Sequence, residues 1–167
     1  IKKIKKIDKH QFQVQAGNDF IDTDELYVCT PAYRASSLLK EINPTLSDLL
    51  MKIEYAPIVV IGLVYDKKSI TQVPAGFGFL NPSMEMKKVL GSIFTTSIYP
   101  NRTDSDQFLF HLMLGGSRYP KIVQLPKEEL IQLAKDELKK TLSIHDQPIQ
   151  EFCVIHEKAI PQYTKEY

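Results

Sequence analysis

The run Pro57–Tyr65, PIVVIGLVY, limits the fold more than any other segment of the chain. An amphipathic helix would show a polar residue every three or four positions, and a half-exposed strand would alternate polar with apolar. Neither pattern is present. A short, continuously apolar run rich in β-branched residues reads as a strand buried on both faces. Asp66-Lys67-Lys68 ends it, and strands of this kind need sheet neighbours and covering layers.

The flanking sequence supplies both. Gly76–Asn81, Leu90–Tyr99 and Gln107–Leu114 read as strands separated by Pro82-Ser83, Pro100-Asn101-Arg102 and Gly115-Gly116. A helix is expected from Pro126 to about Ser143. Its proline suits the first turn, and Glu128 and Glu129 follow where the helix dipole favours anions. Leu130, Ala134, Leu138 and Leu142 recur every four residues and form its apolar stripe. A last strand spans Ile149–His156. Upstream, Ile4, Ile7, Phe12 and Val14 surround Asp8-Lys9-His10 as a hairpin, and Leu26–Cys29 reads as a third short strand. Thr30-Pro31 opens a helix that ends near Asn43-Pro44, and Thr45–Asp48 resembles a capping box for a second short helix. The order is β-β-β-α-α-β-β-β-β-α-β. Short separators favour antiparallel pairing, so the expected class is α+β: a mostly antiparallel mixed sheet covered by a long helix.

Composition narrows the function classes. The 167 residues carry a formal net charge of +1, which offers no field for nucleic acid or an anionic membrane. No apolar run approaches the roughly 20 residues of a membrane-spanning helix. Cys29 and Cys153 each sit in apolar surroundings and read as buried free thiols. The chain opens without methionine inside a strand-like pattern and stops soon after Pro161, so a piece of a longer protein is expected.

A search for catalytic groups finds none. His10, His111, His145 and His156 lack metal-ligand spacing and read as surface or structural histidines. No serine stands in a nucleophile elbow, and Asp104 and Asp106 flank Ser105 in a polar loop. Gly76-Phe77-Gly78 begins like a dinucleotide fingerprint but has no third glycine and no following helix. Gly115-Gly116 lacks the lysine of a phosphate loop. What remains is bulky apolar side chains on three strands: Phe77, Phe79, Leu80, Ile93, Phe94, Phe108, Phe110, Leu112 and Met113. Alternation sends about half of them into a core and leaves the others to line a cavity for a flat hydrophobic ligand.

Several stretches together resemble one family. They are VCTPAYRASSLL (Val28–Leu39), YAPIVVIGLVY (Tyr55–Tyr65), GFGFLNPS (Gly76–Ser83), LGSIFTTSIYPNR (Leu90–Arg102), the Gly-Gly-Ser run at Gly115–Ser117, and HEKAIPQYT (His156–Thr164). In order and spacing they are similar to the porphyrinogen oxidases of the flavin-containing amine oxidase superfamily. A sister group acting on coproporphyrinogen shares most of them. The resemblance implies an FAD-dependent dehydrogenation of a porphyrinogen in haem biosynthesis, with oxygen or another acceptor reoxidising the flavin. That agrees with the missing acid or base, since the cofactor carries the hard chemistry. It implies residues 1–42 as part of an FAD-binding domain, 43–156 as the substrate-binding domain, and 157–167 as a return segment. The family's phosphate-binding motif and propionate arginine belong upstream of this stretch, so the chain alone is expected to be inactive.

Residue by residue, the resemblance assigns ring contacts to Leu80, Ile93 and Met113, with Gly78 allowing a close approach. Asn81 stands where an apolar residue is common, and Met113 where phenylalanine is frequent. Ala159 and Ile160 are expected at the flavin, and Ile4 at its adenosine half. Glu166 and Tyr167 replace the family's usual Gly-His. No catalytic residue and no metal ligand are expected in the chain. Arg34, Arg102 and Arg118 are read as surface or loop residues, none assigned to a propionate. A cytoplasmic location is expected, with homodimer formation and peripheral membrane association of the parent left open. Two rival readings remain: a non-catalytic module binding hydrophobic ligands, and an amine or carotenoid oxidoreductase of the same superfamily.

Overall fold

A computed structural model of the protein describes residues 1–70, 72 and 75–163. The end of the expected return segment, with Glu166 and Tyr167, lies outside the described residues. The chain divides into two compact units, residues 1–54 with 162–167, and residues 55–161. The expected boundary at 42/43 and the observed one differ, because the two short helices pack on each other inside the first unit.

That first unit holds a three-stranded antiparallel sheet, β1 (Lys3–Lys6), β2 (Phe12–Ala16) and β3 (Asp19–Thr23), and helices α1 (Ala32–Leu39) and α2 (Pro44–Met51). Gly17, at φ +67°, and Asn18 close the β2–β3 hairpin with Ala16 opposite Asp19. The third strand is therefore Asp19–Thr23, and Leu26–Cys29 is not a strand. The tight turn returns the chain at once, and the paired strand is polar and exposed enough to give no hydrophobic signal. The side-chain Oδ1 of Asn43, rather than the Thr45–Asp48 box, accepts from the Leu46 amide and caps α2. Ser36 and Ser47 hydroxyls meet at 2.9 Å between the helices.

The second unit is a five-stranded antiparallel sheet in the order β5-β6-β7-β4-β8: β4 (Tyr55–Asp66), β5 (Gly78–Leu80), β6 (Val89–Phe94), β7 (Gln107–Gly115) and β8 (Gln150–Pro161). The apolar run lies in β4, flanked by β7 and β8, as its burial pattern demands. Helix α4 (Lys127–Leu142) lies on one face. Against it pack Val59, Ile61, Leu63 and Tyr65 of β4 with Phe108, Phe110, Leu112 and Leu114 of β7, none more than 2% exposed. The register pairs them directly, Val59 with Leu114 and Leu63 with Phe110. Leu130, Ala134 and Leu138 of the predicted stripe are each fully buried here. Phe94 meets Phe110 edge to face with ring centroids 5.7 Å apart.

One strand stops early. The expected Leu90–Tyr99 strand ends at Phe94, and Thr95–Ile98 form a short helix, α3. Its β-branched threonines favour a strand locally, but tertiary hydrogen bonds outweigh that preference. Thr96 Oγ1 accepts from the Leu109 amide at 2.9 Å, and Thr95 Oγ1 meets His111 Nδ1 at 2.7 Å.

Candidate functional site

Strand alternation gives the five-stranded sheet a second face, away from α4. Two rows of paired residues cross it. Leu80, Gly91 and Met113 form one row, continued by Val60 and Val154. Gly78, Ile93 and His111 form the next, continued by Gly62 and Phe152. Leu80, Ile93 and Met113 therefore share one face, with Gly78 beside them. Of the other aromatic and aliphatic candidates, Phe79, Phe94, Phe108, Phe110 and Leu112 face α4, while Phe77 precedes β5 and is exposed instead of joining the core.

This face keeps its apolar side chains in contact with solvent. Leu80 is 80% exposed and Ile93 39%, with Phe152 and Val154 similarly open. An apolar patch left uncovered by its own unit is a binding feature more than a packing one. Two glycines on it have different reasons. At Gly62 a Cβ would stand 1.8 Å from Cζ of Phe152, so the ring lies directly over the backbone of β4. Gly78 has φ +150°, and a Cβ there would meet the Ser92 carbonyl oxygen at 2.0 Å. The backbone it already touches is sufficient reason for that glycine.

Beside Ile93 the face opens into a cavity of about 400 Å³. Ile93, Leu109 and Phe152 supply its apolar side, and Thr95, Tyr99, Arg102 and His111 its polar side. His111, expected at the surface or as a structural group, is half-buried here. Burial, and then the Arg102 charge, hold its pKa below the usual 6.5. The Phe152 ring meets the His111 imidazole edge to face at 5.5 Å.

Behind the face, Asn81 explains its own departure from the apolar pattern. Its Nδ2 donates to Glu137 Oε1 of α4 and to the Val89 carbonyl, both at 2.9 Å. Lys87 Nζ reaches the same Glu137 oxygen at 3.0 Å, and Thr141 Oγ1 donates to it at 3.0 Å. Burial alone would raise the Glu137 pKa. The hydrogen bonds from Lys87, Asn81 and Thr141, with the Lys87 charge, outweigh it and hold the carboxyl below its usual 4.5. The group ties α4 to the start of the β5–β6 connection, directly after Leu80. Sequence reading missed Glu137, since it is 56 positions from Asn81 and looks like any acid on a solvated helix face.

The residues expected at the cofactor are spread across both units. Ala159 and Ile160 lie in β8, where Ile160 pairs with Ala56 beyond a register shift. Ile4 is 2% exposed, its side chain taken up within the first unit opposite Val14. No glycine-rich turn leads from a strand into a helix among the described residues, so nothing there cradles a dinucleotide's phosphates. No metal-holding cluster of histidine, cysteine or acidic side chains is found among them. Cys29 is exposed rather than buried, and Cys153 is half-buried with its thiol pKa raised, chiefly by burial. The raised pKa makes Cys153 a poor nucleophile. Among the described residues no helix is long and apolar enough to cross a membrane.

Comparison with known proteins agrees with this architecture. Residues 1–158 match the family model "Flavin containing amine oxidoreductase". The chain is 30% identical over 133 residues to "Protoporphyrinogen oxidase 2, chloroplastic/mitochondrial" of Arabidopsis thaliana, covering 78% of this chain and 26% of that protein. It is 27% identical over 159 residues to "Protoporphyrinogen oxidase" of Homo sapiens, covering 92% of this chain and 33% of that one. Among solved structures it superposes on the cyclohexylamine oxidase of Brevibacterium oxydans with a TM-score of 0.68 at 13% identity, over 92% of this chain and 33% of the other. The chain thus spans between about a quarter and a third of the length of these relatives. The family match over nearly the whole chain, with the two-unit antiparallel architecture, means that this chain belongs to the flavin-containing amine oxidoreductase family.

Proposed function

We propose that the protein dehydrogenates a porphyrinogen, protoporphyrinogen IX or coproporphyrinogen, to the porphyrin with FAD as cofactor, and that this chain supplies the wall on which the macrocycle lies. One observation carries the reading: Leu80, Ile93 and Met113 stand on one apolar face, the first two exposed and Met113 half-buried, next to a cavity and opposite the packed core. A flat, largely apolar tetrapyrrole suits such a face, since burying its surface there removes exposed side chains from water. The relatives' names, protoporphyrinogen oxidase in Arabidopsis and human alike, point the same way. When bound, FAD supplies the hydrogen-accepting chemistry, and the chain supplies shape and orientation.

Ala159 and Ile160 are assigned to the flavin side and Ile4 to the adenosine side. Oxygen or another acceptor would take the electrons. Dimer formation and docking to a membrane surface belong to the same reading. The expected cytoplasmic location gains no support from the plant relatives, whose names read chloroplastic or mitochondrial.

The test is expression at full length. The protein is expected to carry FAD and to convert protoporphyrinogen IX or coproporphyrinogen to its fluorescent porphyrin. Leu80→Arg and Ile93→Arg are each expected to lower kcat/KM at least about tenfold, by placing a charge where the apolar ring must lie. A full-length protein free of flavin and inactive on both substrates would overturn the reading.

A further inference from the structure

The polar side of the cavity beside Ile93 has no role in holding an apolar ring. Arg102 lines it and carries a permanent charge. It stands against the Tyr99 ring, with the guanidinium carbon 5.7 Å from the centroid. A guanidinium carries five N–H donors, and a carboxylate can pair with two of them at once. The ion pairs found among the described residues are Lys3–Glu41, Lys87–Glu85, Lys87–Glu137 and Lys135–Glu151, and none includes Arg102. Its field reaches across the cavity, since it helps hold down the His111 pKa. Thr95 and His111, joined at 2.7 Å, add polar atoms to the same wall.

The apolar and cationic features are continuous. Ile93 belongs both to the face shared with Leu80 and Met113 and to the cavity rim. A ligand with a flat apolar body and a carboxylate on a short alkyl arm would meet hydrocarbon under the body and a guanidinium under the arm.

We propose that this cavity is a carboxylate subsite in which Arg102, beside Thr95 and His111, receives a carboxylate borne on an alkyl arm of the ring resting on Leu80, Ile93 and Met113. The inference rests on the porphyrinogen reading above. It changes the sequence reading of Arg102 from a loop arginine to a specificity-determining residue. A bidentate guanidinium–carboxylate pair also fixes ring rotation in its plane, which a purely apolar wall cannot do.

The experiment compares protoporphyrin IX, a dicarboxylic acid, with its dimethyl ester. Binding of each to the full-length flavin-loaded protein is followed by porphyrin absorbance and fluorescence. Wild type is expected to prefer the diacid, with an affinity that falls as salt rises, while the ester's affinity stays flat. Arg102→Gln is expected to weaken the diacid about tenfold and the ester by less than about twofold. Arg102→Lys should retain part of the preference, since it keeps the charge and loses the fork. Equal loss for diacid and ester in Arg102→Gln would make Arg102 structural and overturn the subsite. Equal wild-type affinities with no salt dependence would overturn it without any variant, leaving the apolar wall standing. Failure of wild type to bind either porphyrin would remove the wall itself, and the subsite with it.

Discussion

Replacing Glu137 by alanine tests whether α4 holds the β5–β6 connection in place. The wild-type carboxylate, 7% exposed, accepts from Asn81, Lys87 and Thr141. Hydrogen bonds to a charged group contribute about 1.5–3 kcal/mol each when nothing replaces them. Here replacement is partial. Asn81 Nδ2 keeps the Val89 carbonyl, and Lys87, 32% exposed, keeps Glu85 at 2.9 Å and water. The expected loss for the set is therefore about 2 kcal/mol, well under the sum of three bonds. That corresponds to about 30-fold in an opening equilibrium. Hydrogen-exchange mass spectrometry on the full-length protein reads it locally. Peptides over residues 78–94 should lose about 30-fold in protection, while peptides over β4 stay unchanged. Glu137→Gln retains one acceptor oxygen and should lose about half as much free energy. A pH series adds a sign. Because the folded carboxyl sits below its usual 4.5, its contribution is full above about 4.5 and fades as pH falls through the lowered folded value. The glutamine variant should lack that fade. Unchanged protection of residues 78–94 in Glu137→Ala, within about twofold, would refute the argument that this carboxylate anchors the segment carrying Leu80.

Two further outcomes follow from the open face. Gly62→Ala should cost about 1 kcal/mol, because its Cβ would stand 1.8 Å from Phe152 Cζ and push the ring outward. In a Phe152→Ala background the same change should be neutral or stabilising, since alanine is the better strand residue; equal costs in both backgrounds, by urea denaturation, would remove the steric explanation. His111 should make stability fall as pH drops below its usual 6.5, because the unfolded chain takes up the proton before the folded one does. The drop levels off once pH passes the lowered folded value, and His111→Gln should flatten the profile between pH 7.5 and 5.5; an unchanged slope would show that other groups set it.

Legibility in the sequence followed the range of the interactions involved. The apolar run of β4 and the four-residue spacing of α4 announce themselves because local burial dictates each residue. Asp19–Thr23 did not, since its pairing depends on the Gly17-Asn18 turn rather than on any apolar pattern of its own. Thr95–Ile98 misled for the opposite reason: β-branched side chains suggest a strand, while Thr95 and Thr96 spend their hydroxyls on His111 and Leu109 across the fold. At the site, family motifs named Leu80, Ile93 and Met113, but their common face depends on registers that include a shift between Val89 and Gly91. Alternation within one strand cannot supply that. His111, Arg102 and Glu137 were unreadable, since each takes its meaning from partners on other elements.

The two faces of this one sheet make opposite uses of the same chemistry. Toward α4, large side chains are buried completely and aromatic rings interlock, which leaves no room for a ligand. Away from α4, Leu80, Ile93, Phe152 and Val154 remain in water, although strand alternation would equally have allowed polar residues there. Exposed apolar area gains nothing for this unit's own stability and raises the risk of association. It is retained to advantage only if something apolar covers it in the working protein. The polar anchor at Asn81 and Glu137 sits behind Leu80, the most exposed residue of this wall, and no comparable anchor is needed under the packed core. A stiffened, uncovered wall with a cationic cavity at its edge is the arrangement expected for a flat ligand held in one orientation, and the diacid–diester comparison distinguishes that from a patch that merely awaits another surface.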